Sequence, residues 1–258
     1  MSEQNGKNQM TRREFIRKGS YVAGGAIGGG ILGGLITQQV VKPNTANKGK
    51  NNGGHGTANE GRYTQALMHF SNPEDFQTLS QAAERIFPAD KTGPGAIDLD
   101  VPYYIDHQLA GAWGNNARDF MLGPFYPGVE TQGFQSHLKR KEIFNQGIAK
   151  IREFSQKKYK KSFKELTDKE QDEVLTAFEK GQVPMGGVTS SDFFTLLRIA
   201  VLEGVYADPL YGGNRDMAGW KMKGFPGSQM SYLDKIEAKD FLEIEPNSLH
   251  SHMPSNQK

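Results

Sequence analysis

Apolar residues between positions 72 and 206 recur every three or four residues, which is the spacing of amphipathic α-helices. The first such segment begins with Asn72, which can cap a helix, and Pro73, which suits the first helical position. Pro88 ends the segment because proline cannot continue a helix. One face of this predicted helix carries Phe76, Leu79, Ala83 and Ile86.

Two more helices are predicted before residue 160. The segment VPYYIDHQLAGAW offers Tyr104, Ile105 and Leu109 for burial. In the longer segment that follows, the apolar residues at helical spacing are Phe134, Leu138, Phe144, Ile148 and Ile151. This segment is basic, with ten Lys/Arg between Lys139 and Lys164. Such a charge pattern indicates either a solvated helix face or contact with an anionic membrane surface or an acidic partner.

The fourth predicted helix starts with a capping box, Thr167 to Glu170, and ends near Gly181. Its inner face consists of Val174, Leu175 and Phe178. The fifth, from about residue 192 to 206, is the most apolar. Its buried row is predicted to be Phe193, Leu197, Val201 and Val205, with Phe194 and Ile199 widening the apolar surface. We therefore expect the fifth helix to be central.

No segment shows the alternating pattern of a β-strand, so the predicted fold class is mainly α. We expect one compact helical domain over residues 63–245, with long irregular glycine-rich loops toward its C-terminal end. An export segment, residues 1–41, and a flexible Asn/Gly linker, residues 42–62, precede it. A polar tail, residues 246–258, follows.

The N-terminal segment TRREFIRK contains Arg12, Arg13 and Phe15 in the arrangement of a twin-arginine export signal. The apolar region behind it carries seven glycines between Tyr21 and Ile36. Residues 19–41 are uncharged, and at ~1.5 Å per residue they are long enough to cross a bilayer core of ~30 Å. The sequence therefore predicts twin-arginine export to an extracytoplasmic location, and leaves open whether residues 19–41 are cleaved or retained as a membrane anchor.

Charge and composition narrow the classes of function. Residues 1–62 hold nine Lys/Arg and three Asp/Glu, whereas the remainder holds 22 and 26, so the body is acidic despite a formal net charge of +2 for the chain. We therefore expect no nucleic-acid partner. The absence of cysteine excludes disulfides, thiolate catalysis and iron–sulfur clusters in this chain. No nucleotide-binding glycine motif, haem-attachment motif or metal-binding histidine spacing is present, so we expect no cofactor and no metal in this chain.

The segment DPLYGGNRDMAGWKMKGFPG, residues 208–227, is called here the glycine–tryptophan loop. Gly212 and Gly213 allow positive φ at low cost, and Asn214 tolerates left-handed geometry. Tyr211 and Trp220 add large apolar faces with polar tips. These residue types predict a tight, self-bonded turn with a structural or subunit-contact role.

Two carboxylates near this loop raise the alternative of acid/base chemistry. Glu203 lies in the most apolar helix, and Asp208 follows its end. Five residues rotate about 140° beyond one turn, so the two side chains do not share a helix face. We expect a buried Glu203 to need a partner such as Arg215, Arg198 or backbone amides of the loop. A salt bridge that holds the loop is the interpretation we favour for these groups, and Asp208 and Arg215 are expected to fix the turn.

The stretch GVYADPLYGGNRDMAGWKMKGFPG resembles the signature of the gluconate 2-dehydrogenase subunit 3 family, the small subunits of membrane-bound FAD-dependent sugar and sugar-acid dehydrogenases. Three earlier stretches, RIFPADKTGPGAIDLDVPYYID, LTDKEQDEVL and FFTLLRIAVLEGVYADPLYGG, are similar to the family in the same order, so the resemblance covers about residues 70–230. The glycine–tryptophan segment is its specific part.

The resemblance implies a non-catalytic helical subunit. In such complexes FAD sits on a large subunit of the glucose–methanol–choline oxidoreductase type, which the small subunit helps to fold and to carry through the twin-arginine translocase. A cytochrome c subunit often receives the electrons, and the sequence leaves its presence open. The resemblance supplies no catalytic residue for this chain.

Two other functions stay open on the sequence alone. One is a free-standing exported hydrolase that uses Glu203, Asp208 or Asp216. The other is a membrane-tethered structural or binding module without an oxidoreductase partner.

Overall fold

The computed structural model of the protein describes residues 65–126, 128–129, 132 and 135–253. The export segment with Arg12, Arg13 and Phe15, the linker 42–62 and Phe134 lie outside the described residues. The last residues of the predicted tail, 254–258, lie outside them as well.

The described part of the chain is helical and contains no strand, which confirms the predicted fold class. Its α-helices are α1 (Pro73–Ile86), α2 (Val101–Ala110), α3 (Arg140–Tyr159), α4 (Asp168–Glu179), α5 (Ser190–Tyr206) and α6 (Ala218–Lys221). Short 3₁₀ turns occur at Phe163–Glu165, Pro209–Tyr211, Arg215–Met217 and Leu249–His252.

Local capping chemistry sets several helix ends where the sequence predicts them. The Asn72 side chain accepts a hydrogen bond from the Glu74 N–H at 3.0 Å, with Pro73 in the first turn. At α4, the Glu170 carboxylate accepts from the Thr167 N–H at 2.8 Å and completes the predicted capping box. Gly181 follows this helix with φ of 68°, a left-handed conformation that glycine adopts without strain.

Helix α3 begins at Arg140, later than the apolar pattern indicates, and leaves Leu138 outside it. Ser136 explains the delay, because its hydroxyl donates to the Gly187 carbonyl at 2.8 Å and accepts from the Leu138 N–H at 3.1 Å. These bonds hold the preceding residues in a turn. Short polar side chains commonly compete with helix geometry in this way.

Helix α5 is central, since it packs against α1, α2, α3 and α4. The predicted row Phe193, Leu197, Val201 and Val205 is fully buried. The ring of Phe193 makes edge-to-face contacts with Phe144 and Phe178, at centroid distances of 5.7 and 5.8 Å. A β-carbon at Gly147 of α3 would overlap the Phe193 ring, so this glycine allows the two helices to approach.

The opposite face of α5 differs from expectation. Phe194 is buried as predicted, but Ile199 is 41% exposed and Glu203, one turn later, is exposed too. Residues four apart share a helix face, and 199 and 203 lie away from the buried row. Glu203 is therefore not buried, although it lies in the most apolar helix.

The basic residues of α3 make ion pairs within the domain. Arg152 pairs with Asp75 at 2.7 Å and also with Glu74, and Lys158 pairs with Glu173 at 3.1 Å. Exposed pairs of this kind contribute little stability individually. Among the described helices, none is long and apolar enough to cross a membrane.

Candidate functional site

The glycine–tryptophan loop leaves the end of α5 and folds into two 3₁₀ turns followed by the short helix α6. Its backbone is unusual because three non-glycine residues have positive φ: Asn214 at 50°, Asp216 at 55° and Met217 at 56°. Such left-handed conformations are uncommon outside glycine, asparagine and aspartate. The loop is therefore a specific, tightly defined structure.

Asn214 is the hydrogen-bonding centre of this loop, and it is fully buried. Its Nδ2 donates to the Ala207 carbonyl at 2.8 Å, and its Oδ1 accepts from the Gly219 N–H at 2.7 Å. One side chain thus joins the end of α5 to the beginning of α6. The positive φ predicted for Asn214 is confirmed.

The glycines of the loop serve two different purposes. Gly212 has φ of 94°, as predicted, whereas Gly213 lacks a positive φ and is needed for close approach. A β-carbon at Gly213 would overlap the Gly204 carbonyl of α5, and one at Gly219 would overlap the Val205 carbonyl. Backbone therefore packs directly on backbone along the last turn of α5.

Two of the three aromatic residues of the loop, Tyr211 and Trp220, lie in different environments. Trp220 is only 6% exposed, its indole Nε1–H donates to the Tyr206 carbonyl at 2.8 Å, and its ring meets Phe225 edge-to-face at 5.3 Å. Tyr211 is 51% exposed. Burial gives Trp220 a structural role in this domain, whereas Tyr211 and the half-exposed Phe225 are available to a partner.

Asp208 connects the loop to the C-terminal residues. Its Oδ1 accepts from the Leu210 N–H at 3.0 Å and from the Ser248 hydroxyl at 2.6 Å, while Oδ2 accepts from the Leu249 N–H at 2.8 Å. Ser248 and Leu249, predicted to belong to the polar tail, are thus hydrogen-bonded to the domain. Neither oxygen of Asp208 is left without a structural hydrogen bond.

Arg215 fixes the other side of the loop. Its guanidinium Nε pairs with Asp100 Oδ2 at 3.0 Å, at the start of α2, and its backbone N–H donates to the Leu99 carbonyl at 3.3 Å. Asp100 is buried and also accepts from the Gln65 side chain at 3.3 Å. Burial raises the pKa of the Asp100 carboxyl, and Arg215 opposes this shift.

Arg215 pairs with Asp100 and not with Glu203, although the sequence suggested Arg215 as one of the partners of Glu203. Although the side chain is exposed, nearby protein atoms displace enough water to raise the pKa of the Glu203 carboxyl, and the charge of Arg140 lowers it. Its exposure shows that it needs no buried partner. Desolvation and, secondarily, Glu203 raise the pKa of Tyr104 to about 12.

Sequence reasoning missed Asp106, which is fully buried in α2. Its carboxylate accepts from three consecutive backbone N–H groups, those of Met68, His69 and Phe70, at 2.5, 3.2 and 2.8 Å. The sequence feature that could have indicated a buried carboxylate is the position of Asp106 beside Ile105, inside an apolar helical segment. Its role here is to fasten the chain that enters the domain onto α2.

Across the part of the chain that the structure describes, no group of three or more His, Cys, Asp or Glu side chains could hold a metal ion. His252 lies in the C-terminal 3₁₀ turn, where its Nε2 is 3.0 Å from the Ser228 carbonyl. The site around residues 208–227 is thus a network of structural hydrogen bonds with two exposed aromatic side chains, Tyr211 and Phe225.

Comparison with protein families matches residues 73–227 to the family described as gluconate 2-dehydrogenase subunit 3. The matched region runs from the first residue of α1 to the last residue of the glycine–tryptophan loop. Searches of curated proteins and of solved structures gave no match.

Proposed function

Because the chain belongs to the gluconate 2-dehydrogenase subunit 3 family, we propose that it is the non-catalytic small subunit of an exported FAD-dependent dehydrogenase. In this proposal it assists folding of the flavoprotein large subunit and brings it to the twin-arginine translocase. The observation that carries the proposal is the family match, which covers α1 to α6. FAD and the substrate pocket are assigned to the large subunit.

The contacts of the two candidate carboxylates favour this function over a hydrolase. Asp208 accepts three hydrogen bonds from its own chain, which account for both of its oxygens. Glu203 lies on the exposed face of α5. A glycosidase pair needs one carboxyl held as an acid and the other free to act as base or nucleophile. Asp208 is already used as a structural acceptor.

The twin-arginine pattern at Arg12 and Arg13 supplies the proposed route, by which a folded flavoprotein leaves the cytoplasm together with this subunit. The complex is then extracytoplasmic, and it is tethered if residues 19–41 remain as an anchor.

Replacing both Arg12 and Arg13 with lysine tests the carrier role. The large subunit is expected to accumulate in the cytoplasm, because the variant keeps the charge but removes the arginine pair. Arg17→Lys is the matched control, and it should leave export unchanged. If the double variant is retained in the cytoplasm while the large subunit still reaches the outside at normal levels, the carrier role is wrong.

A further inference from the structure

Residues 229–246, called here the arm, form a loop beyond the family-matched region. The arm contains neither helix nor strand, and its own backbone hydrogen bonds are short-range, such as Lys235 N–H to the Tyr232 carbonyl at 2.8 Å. Its two ends meet at a fixed base. There the Ser228 N–H donates to the Asn247 carbonyl at 2.6 Å, and the Asn247 N–H donates to the Pro226 carbonyl at 3.1 Å.

This base is attached to the glycine–tryptophan loop. Gly227, with φ of 69°, packs against Asn247 and Trp220 so closely that a β-carbon would overlap the Asn247 carbonyl. Asp208 binds the following residues, Ser248 and Leu249. The loop therefore holds both ends of the arm against the end of α5.

The arm displays large apolar side chains to solvent. Phe241 is 94% exposed and Leu233 is 81% exposed. The exposed large apolar residues of the arm are Met230, Tyr232, Leu233, Ile236, Phe241 and Leu242. A single exposed apolar residue is ordinary, but six exposed large apolar residues within one loop are typical of an interaction surface.

The charge of the arm restricts what can cover it. Five carboxylates are interspersed with the apolar residues, at Asp234, Glu237, Asp240, Glu243 and Glu245. Only Lys235 and Lys239 oppose them. An anionic membrane surface would repel this segment. In a symmetric dimer the arms of two copies would meet and repel each other. The charge of the arm instead complements an apolar cleft bordered by Lys and Arg on another protein.

Resting on the proposed function, we propose that the arm docks into an apolar, Lys/Arg-bordered cleft of the dehydrogenase large subunit. Members of this family are subunits of a dehydrogenase complex, so the dehydrogenase is the partner that we assign to the arm. Because the base is fixed by hydrogen bonds, less conformational entropy is lost on docking than for a free segment. The arm gives this chain a contact surface in addition to its family-matched core.

The test compares two sets of exposed apolar residues in the full-length chain, co-expressed with its flavoprotein large subunit. The arm variant is Leu233→Ser/Ile236→Ser/Phe241→Ser. The control is Phe120→Ser/Leu122→Ser, in the loop before α3, where both residues are also largely exposed. We expect the arm variant to bind the large subunit at least ~30-fold more weakly, as for loss of interface hot spots. The control should bind within ~2-fold of wild type.

Circular dichroism on both variants shows whether each is folded, which is expected because all the replaced residues are exposed. Charge provides a second measurement, in which Glu237→Lys/Asp240→Lys should slow association, most strongly at low salt.

The outcomes separate the two proposals. If the wild-type chain binds no flavoprotein, both the proposed function and the arm inference are wrong. If wild type binds and the arm variant binds equally well, only the arm inference is overturned. Two other results would overturn the arm inference. One is light scattering that shows the isolated wild-type chain to be a dimer and the arm variant a monomer. The other is binding of the wild-type chain, but not of the arm variant, to vesicles containing anionic lipid.

Discussion

Substitution of Asn214 tests whether the glycine–tryptophan loop is held by one buried side chain. Asn214→Ala removes the donor to the Ala207 carbonyl and the acceptor for the Gly219 N–H. Each buried polar group left unpaired costs about 1–3 kcal/mol, which gives about 2–6 kcal/mol for the two. The left-handed φ of 50° adds about 1–2 kcal/mol for alanine.

Two further variants separate these contributions. Asn214→Gly loses the same hydrogen bonds but tolerates the backbone, so it should be less destabilising than Asn214→Ala by about 1–2 kcal/mol. Asp216→Ala is the matched control for strain, because Asp216 is exposed and has φ of 55°. Asp216→Ala should lower the free energy of unfolding only by the cost of placing alanine at a left-handed φ, about 1–2 kcal/mol.

The free energy of unfolding is measured by urea denaturation of the full-length chain, followed by circular dichroism with a constant m-value. We expect Asn214→Ala to lose about 3–8 kcal/mol, a large part of the 5–15 kcal/mol typical of a domain. If Asn214→Ala is no more destabilising than Asp216→Ala, the two buried hydrogen bonds contribute nothing and the reasoning is refuted.

Three other predictions concern the same region. Gly219→Ala should lower the free energy of unfolding by about 1–3 kcal/mol, because the added β-carbon would overlap the Val205 carbonyl. Gly111→Ala is the control: its β-carbon would make only ordinary contacts, so the same assay should show a change of less than ~0.5 kcal/mol. Trp220→Phe should lose about 1–3 kcal/mol by leaving the Tyr206 carbonyl unpaired, and Trp220→Ala about 3–5 kcal/mol; equal losses would show that the indole N–H is unimportant. Burial raises the pKa of the Asp100 carboxyl in the folded state above its ordinary value of 3.8. The contribution of this carboxyl to the free energy of unfolding is therefore fully present below pH 3.8, and it is lost as the pH rises through the folded-state pKa. Asp100→Asn should therefore remove part of the fall in unfolding free energy between acid and neutral pH, and an unchanged pH profile would contradict this.

Much of the helical fold is predictable because its signals are local. Asn72 with Pro73, and Thr167 with Glu170, specify helix starts through contacts within one turn. The buried row of α5 follows from its periodicity. Ile199 was misplaced because α5 is apolar on most sides, so composition obscured its exposed face.

The glycine–tryptophan loop was only partly predictable because its partners are distant in sequence. Asp208 bonds to residues forty and forty-one positions later, and Arg215 reaches Asp100, the residue before α2. No periodic or capping pattern reports such contacts. The need for a flexible backbone was readable from Gly212 and Asn214, whereas the burial of Trp220 depends on Tyr206 and Phe225 around it.

Copurification tests directly whether this chain is, as we propose, a non-catalytic subunit that binds a flavoprotein. The tagged full-length chain is co-expressed with the large dehydrogenase subunit and analysed by size-exclusion chromatography with flavin absorbance and mass spectrometry. We expect one complex that contains both chains, and we expect the flavin absorbance to be lost when the large subunit is omitted. Separate elution of the two chains, or flavin bound to this chain alone, would contradict it.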